Sequence, residues 1–211
     1  MTKKFHKLQH PLLQHKLGLL RDKNTPPSEF RDLVKDISNQ LAYAAMNDWS
    51  DFEKVAIETP IAKTTVPRIK NFPIAVSIMR AGNPVQEAVL DVIPSASAGH
   101  IGMNRDKDDY KKIVEYYFKL PDNHTGKPVL LCEPLLATAN TAIAAITKLK
   151  NCNVGKIKML SILVSKEGIE KLHHAHPDVD VFALDQEEIM NDHGYLVPGL
   201  GDAGDRIYNS K

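Results

Sequence analysis

The chain has 211 residues, 43% hydrophobic and 25% charged, with a formal net charge of +1 at neutral pH. That length holds one sizeable α/β core, and balanced charge gives no long-range field to draw in a polyanion, so no nucleic-acid partner is expected. No apolar run reaches the roughly 18 residues of a membrane span, and the basic start (Lys3, Lys4, Lys7) lacks the apolar centre of a secretory signal. Cys132 and Cys152 lie among apolar neighbours and read as buried free thiols. Thiols of that kind belong to a reducing compartment, so a cytoplasmic protein with no membrane association is expected.

Residues 1–24 are polar and basic around an apolar segment at 12–20. Pro26 and Pro27 open a helix with Thr25 or Ser28 as N-cap. Phe30, Leu33, Val34, Ile37 and Leu41 then recur at helical spacing, which carries the helix to about residue 47. Trp49 and Phe52 are expected to pack in the following turn. Residues 53–70 are β-like, broken by Pro60 and Pro67. Residues 72–79 form a short apolar run, the pattern of a strand buried on both faces, and lead into Arg80-Ala81-Gly82. A helix is expected over 83–92, a strand over 95–103 and a strand over 113–118. The charged stretch 106–112 lies between the last two, so 103–120 reads as a protruding β-hairpin.

Beyond it the pattern predicts a strand at 129–132, a helix at 141–149, a strand at 156–164, a helix at 167–174 and a strand at 179–184. Alternation at these lengths predicts an α/β fold, with a mostly parallel central sheet flanked by helices in a single domain over 1–211. Residues 194–205 contain four glycines and one proline. They predict an irregular, tight loop whose backbone comes close to a ligand.

The most informative stretch is 130–141, Leu-Leu-Cys-Glu-Pro-Leu-Leu-Ala-Thr-Ala-Asn-Thr. A strand runs into a carboxylate, then into small and hydroxyl residues, then into a helix. Backbone N–H groups and a helix N-terminus are thereby offered to an anion. The stretch lacks the glycine–lysine pattern of an ATPase loop and the three-glycine pattern of a dinucleotide fold. Ligands of an open α/β sheet bind beyond the carboxyl ends of its strands. Arg80-Ala81-Gly82, Asn104-Arg105, residues 133–141 and residues 199–205 all fall at such ends. Two arginines, carboxylates and bent small-residue backbone suit a phosphorylated sugar.

These segments resemble the uracil phosphoribosyltransferases, a type I phosphoribosyltransferase family, over nearly the whole length. The resemblance rests on His10-Pro11-Leu12 with residues 15–21, on Ile78-Met79-Arg80-Ala81-Gly82 and on Gly102-Met103-Asn104-Arg105. It rests further on residues 133–141, on Asn191-Asp192-His193-Gly194-Tyr195 and on 198–206. It implies conversion of uracil and 5-phospho-α-D-ribose 1-diphosphate (PRPP) to UMP and diphosphate in pyrimidine salvage. Mg²⁺ would be carried by the diphosphate, with no direct protein ligand, and the protein would be a homodimer or larger homo-oligomer.

Position by position, the resemblance implies that Arg80 and Arg105 bind the diphosphate and that Glu133 contacts the ribose hydroxyls. Pro134, Leu135 and Leu136 belong to the same PRPP-binding stretch, and Ala137, Thr138, Ala139, Asn140 and Thr141 hold the 5′-phosphate. Tyr195, Leu196, Gly201, Asp202 and Ala203 bind uracil, with the backbone of Leu196, Gly201 and Ala203 reading its edges. Asp202 also faces PRPP or its Mg²⁺, and Asp202 and Arg105 are the candidates for a catalytic role. In this layout 1–50 is an N-terminal helical segment and 185–211 a uracil-binding hood. The 103–120 hairpin would act as a flap.

The chain departs from the family pattern at several points. Glu133 stands for an aspartate, Ala139-Asn140 for two glycines, Ser77 for a proline and Ser165-Lys166 for Ala-Pro, and Asn83-Pro84 follow Gly82. If the second glycine site needs positive φ, Asn140 is the least costly substitute. These departures keep open a second reading, a catalytically weakened paralogue that binds nucleotide as a regulator. Elsewhere, His173, His174 and His176 read as a solvated helix end and Glu187-Glu188 as a solvated turn. Lys107, Lys111 and Lys112 read as a hairpin tip, and Lys16 and Arg21 as surface or interface groups.

Overall fold

A computed structural model describes residues 4–105 and 113–210, and of Arg105 the backbone alone. The expectations placed on 106–112, including the flap and its lysines, lie outside the described residues. Strand β1 (Phe5–Lys7) precedes helix α1 (Pro11–Arg21), whose N-terminus is capped by His10 Nδ1 accepting from the Leu12 N–H at 3.2 Å. Helix α2 (Pro27–Met46) follows the predicted span, but neither Thr25 nor Ser28 caps it. Pro26 is the N-cap, and the Thr25 hydroxyl donates instead to the Leu19 carbonyl at 2.6 Å.

Strands β2 (Phe52–Glu58) and β3 (Lys63–Ile69) form a separate antiparallel ribbon. Pro67 is tolerated there because a two-stranded ribbon consists only of edges. Phe52 is 48% exposed and opens this ribbon, so it does not pack in the turn as expected.

The main sheet is built from β4 (Ile74–Met79), β5 (Ser97–Arg105), β6 (Ile113–Lys119), β7 (Val129–Cys132), the short β8 (Leu135–Leu136), β9 (Ile157–Ser165) and β10 (Asp180–Glu187). Its order is β1-β10-β9-β7-β4-β5-β6, with β8 added beside β9. Every pairing is parallel except β5 with β6. The fold is therefore a mostly parallel central sheet flanked by helices.

Helix α3 (Asn83–Val92) joins β4 to β5, α4 (Asn140–Asn151) joins the β7–β8 segment to β9, and α5 (Lys166–Ala175) joins β9 to β10. From β4 the chain moves toward one edge through β5, and from β7 toward the other through β9 and β10. The strand order thus reverses between β4 and β7, and a crevice opens at their carboxyl ends, the expected place for a ligand.

Period-two alternation divides the core. Ala75, Leu130 and Cys132 pack with α1, α2 and α3 on one face. Ile74, Val76, Val129 and Leu131 pack with α4 and α5 on the other. Cys132 is buried, whereas Cys152 is only half-buried, and neither is in a disulfide. The apolar N-terminal segment faces inward: Leu13, Leu17 and Leu20 are buried.

The tail is more regular than its glycines suggest. After β11 (Ile189–Met190) and a turn, β12 (Leu196–Val197) pairs antiparallel with β11, and α6 begins at Ala203 and ends at Tyr208. Asp202 makes this possible as N-cap, its Oδ1 accepting from the Asp205 N–H at 2.9 Å. Of the histidine cluster, His174 is exposed as expected and His173 is half-buried. His176 is buried, with its ring 3.1 Å from the Thr147 hydroxyl of α4.

Candidate active site

A cavity of about 340 Å³ lies over the β4–β7 crevice. Its walls come from three places in the chain: 78–81 after β4, 133–142 around the turn into α4, and 194–204 in the tail, joined by Met103 and Asn104 at the end of β5. Of the expected site residues, Arg80, Glu133, Leu135, Leu136, Ala137, Thr138, Ala139, Asn140, Thr141, Tyr195, Gly201, Asp202 and Ala203 line it. Pro134 and Leu196 are buried behind the lining. Arg105 ends β5, and its side chain is outside the described residues. Ile78, Met79, Ala81, Met103, Asn104, Gly194 and Gly204 also line it; they lie in the motifs read from the sequence, which assign them no role, and only Ala142, lining it too, falls outside those motifs.

The turn into α4 is held from beneath. Ser161 and Ser165 are four residues apart on β9, hence on one face, and their hydroxyls donate to the carbonyls of Glu133 and Ala137, each at 2.6 Å. Ser165 also caps α5, accepting from the Gly168 N–H at 2.7 Å. The left-handed residue is Ala139 (φ 61°), not Asn140, which opens α4 in helical geometry. The Asn140 side chain is drawn aside by Lys171, whose ammonium donates to Oδ1 at 2.5 Å. Ala139 is the N-cap of α4 and makes no side-chain cap hydrogen bond, and residues 139–142 of the helix start line the cavity.

The arginine loop is fixed as tightly. Its Met79–Arg80 peptide bond is cis. Ser77 donates to Asn83 Oδ1 at 2.9 Å, so these two departures form a pair. Tyr208 donates its hydroxyl to the Arg80 carbonyl at 3.0 Å, and the Arg80 guanidinium lies 5.5 Å from the centre of that ring.

Glu133 and Asp202 set the electrostatics. Burial, and then the negative charge of Asp202, push the Glu133 carboxyl up to about 8. The folded chain therefore keeps a proton that the unfolded chain releases near 4.5. Stability of the ligand-free protein should fall as pH rises from about 4.5 to about 8. Glu133→Gln, which has no proton to lose, is expected to flatten that fall in pH-dependent denaturant titrations. Parallel curves for the two proteins would contradict the assignment.

This arrangement offers an anion site at a helix start, a guanidinium, a carboxylate pair and a bent backbone wall, all within one cavity. The model of the family described as uracil phosphoribosyltransferase matches residues 7–210. A uracil phosphoribosyltransferase of Staphylococcus aureus (strain Newman) is 43% identical over 209 residues, covering 99% of each chain. The AQ2163 protein from Aquifex aeolicus superposes with a TM-score of 0.91 at 30% identity, over 98% of this chain and 99% of that one. An adenine phosphoribosyltransferase from Trypanosoma brucei, solved with AMP, pyrophosphate and ribose 5-phosphate, shares the fold alone. Its TM-score is 0.61 at 11% identity, over 94% of this chain and 88% of that one. The family model over 7–210 and the 43% identity over nearly the whole length agree: the chain belongs to the uracil phosphoribosyltransferase family.

Proposed function

We propose that the cavity holds PRPP between the arginine loop and the start of α4, with uracil under the tail, and that the chain joins them as UMP. The observation that carries this reading is the meeting of the three loops around one cavity sized for a nucleotide. The comparisons favour an enzyme and give no support to the binding-only alternative.

In this reading the backbone at 137–141 and the α4 start hold the 5′-phosphate. Arg80, with Arg105, balances the diphosphate charge. Glu133 accepts from the ribose hydroxyls, which draws off its proton. The backbone of Leu196, Gly201 and Ala203, beside Tyr195, matches the donors and acceptors of uracil. A base with the wrong polar edge leaves buried groups unpaired, at about 1–3 kcal/mol each.

The bond to diphosphate breaks at C1′ as uracil N1 bonds from the opposite face and gives up its proton to solvent or to the departing diphosphate, with no covalent enzyme intermediate. The residues contribute positioning, leaving-group stabilisation and exclusion of water. Mg²⁺, when bound with the diphosphate, supplies charge neutralisation to the leaving group. The Glu133–Asp202 pair fits such a cation, because the negative charge of Asp202 adds to burial in disfavouring an ionised Glu133, and a positive charge relieves both. In this reading the ion arrives with the substrate.

A single phosphoribosyltransferase domain over 1–211, with 185–211 as its uracil hood, belongs to the same proposal. So does a cytoplasmic location, supported by the two unpaired cysteines. Among the described residues no helix is long and apolar enough to cross a membrane. A homodimer or larger assembly is supported by the β2–β3 ribbon, where Phe52 and Ile61 are 48% and 93% exposed.

The purified chain with uracil, PRPP and Mg²⁺ is expected to release UMP and diphosphate in equal amounts. Tight UMP binding without turnover would overturn the enzymatic part of this reading.

A further inference from the structure

The tail that lines the base end of the cavity has a back side, and two arginines fasten it there. Arg21, the last residue of α1, donates from Nη1 to the Gly199 carbonyl at 2.8 Å. The same guanidinium is ion-paired with Glu187 at 2.6 Å and lies 3.7 Å from Asp185, both on β10. The Glu187 side chain is only 8% exposed, so it does not belong to the solvated turn the sequence suggested. Arg206, on α6, donates to the Leu200 carbonyl at 2.7 Å and to the carbonyls of Leu20 and Asp22 at 2.5 Å, with its guanidinium 4.3 Å from the Phe30 ring centre.

Between these anchors runs 199–201. Gly199 sits at φ +59°, where an added Cβ would meet the Leu196 carbonyl, so the turn has little room to relax. Gly201 and Asp202 are wall to two cavities at once, the active-site cavity on one side and a second, of about 420 Å³, that Arg21 and Arg206 line on the other. Whatever holds the back of 199–201 therefore sets where its front presents backbone groups to a base.

We propose that Arg21 is a positioning residue for the base: it touches no reacting atom and fixes the Gly199 carbonyl, and through it the base-facing backbone, against β10. A planar fork suits this task because one guanidinium meets a carbonyl and two carboxylates together. The proposal rests on the base lying under the tail, and its test separates the two ideas.

Steady-state kinetics of Arg21→Ala should show KM for uracil raised about tenfold or more, the effect of one lost charge-assisted contact, with KM for PRPP within about twofold of the parent. Arg21→Lys, which keeps the charge and loses the fork, should fall between. Glu187→Gln, which removes the ion pair and keeps the shape, should raise KM for uracil in the same direction. Added guanidinium ion should restore part of the uracil affinity of Arg21→Ala. A role in stability alone would lower the active fraction, and so kcat, without moving KM. An unchanged KM for uracil in Arg21→Lys and Glu187→Gln would overturn the proposal while leaving the function intact. A parent protein with no measurable use of uracil would remove both.

Discussion

Arg80→Ala is expected to lower kcat/KM for PRPP by about 10²–10³-fold, the usual loss when a donor to developing charge is removed. The guanidinium follows directly on β4 at the crevice and lines the cavity. Among the described residues no carboxylate pairs with it; its described partner is the face of Tyr208 at 5.5 Å. A ring face holds a cation in place without neutralising it, so its charge stays available to an anion. Arg80 is exposed, and the loop backbone is held independently through the Tyr208 hydroxyl. The variant should therefore fold and melt close to the parent, since an exposed substitution away from such fastenings usually changes stability within about 0.5 kcal/mol. Arg80→Lys should recover part of the loss, because an ammonium supplies the charge but not the two parallel donors. Kinetics in PRPP at saturating uracil give the answer, and an unchanged kcat/KM for PRPP in Arg80→Ala would show that this guanidinium does not act on the diphosphate.

Gly82→Ala should harm both stability and turnover. A Cβ there would run into the Cys132 carbonyl and into the Ile78 carbonyl and amide nitrogen, all backbone atoms that cannot rotate away. Gly82 donates its N–H to the Ile78 carbonyl at 2.9 Å and accepts from the Gln86 N–H at 2.9 Å, so it is tied to both β4 and α3. Overpacking of this kind costs about 1–3 kcal/mol, at about 2–4 °C of melting temperature per kcal/mol in a chain of this size. The contacts also lie between the ends of β4 and β7, so relief must push the arginine loop away from Glu133. Displacement by about 1 Å is enough for a loss of about 100-fold in rate. Gly18→Ala is the contrasting substitution. It sits within α1 with nothing within 4 Å of its Cβ, and alanine there should stabilise by about 0.5–1 kcal/mol. Thermal melts and kcat on the two variants check the pair; equal behaviour would contradict the packing argument.

Strands β4 and β7 were legible because their residues are almost all buried, so that 74–79 and 129–132 read as short, mostly apolar runs. Strand β1 was not. Phe5, His6 and Lys7 carry no pattern of their own; they are held by pairing with β10 and by Asp180, which meets His6 at 3.3 Å and Lys4 at 3.6 Å from the far end of the chain. The tail misled for a different reason: its glycines mark the turns correctly, but Asp202 caps a helix that the surrounding glycines disguise.

The ligand loops were legible because bent backbone near a phosphate demands small residues. Their supports act across long sequence separations and left fainter traces. Ser161 is a fully buried hydroxyl in an otherwise apolar stretch of β9, a signal that could have been read as a tether. Ser77 bonds Asn83, Ser165 bonds the Ala137 carbonyl and Lys171 bonds Asn140, contacts that the sequence alone does not announce.

A crystal structure of the chain with UMP tests the central claim most directly. The expected result is one nucleotide across the β4–β7 crevice, its phosphate on the amides of 137–141 and its uracil edges on the backbone of 196–203. UMP bound elsewhere, or in the reverse orientation, would contradict it.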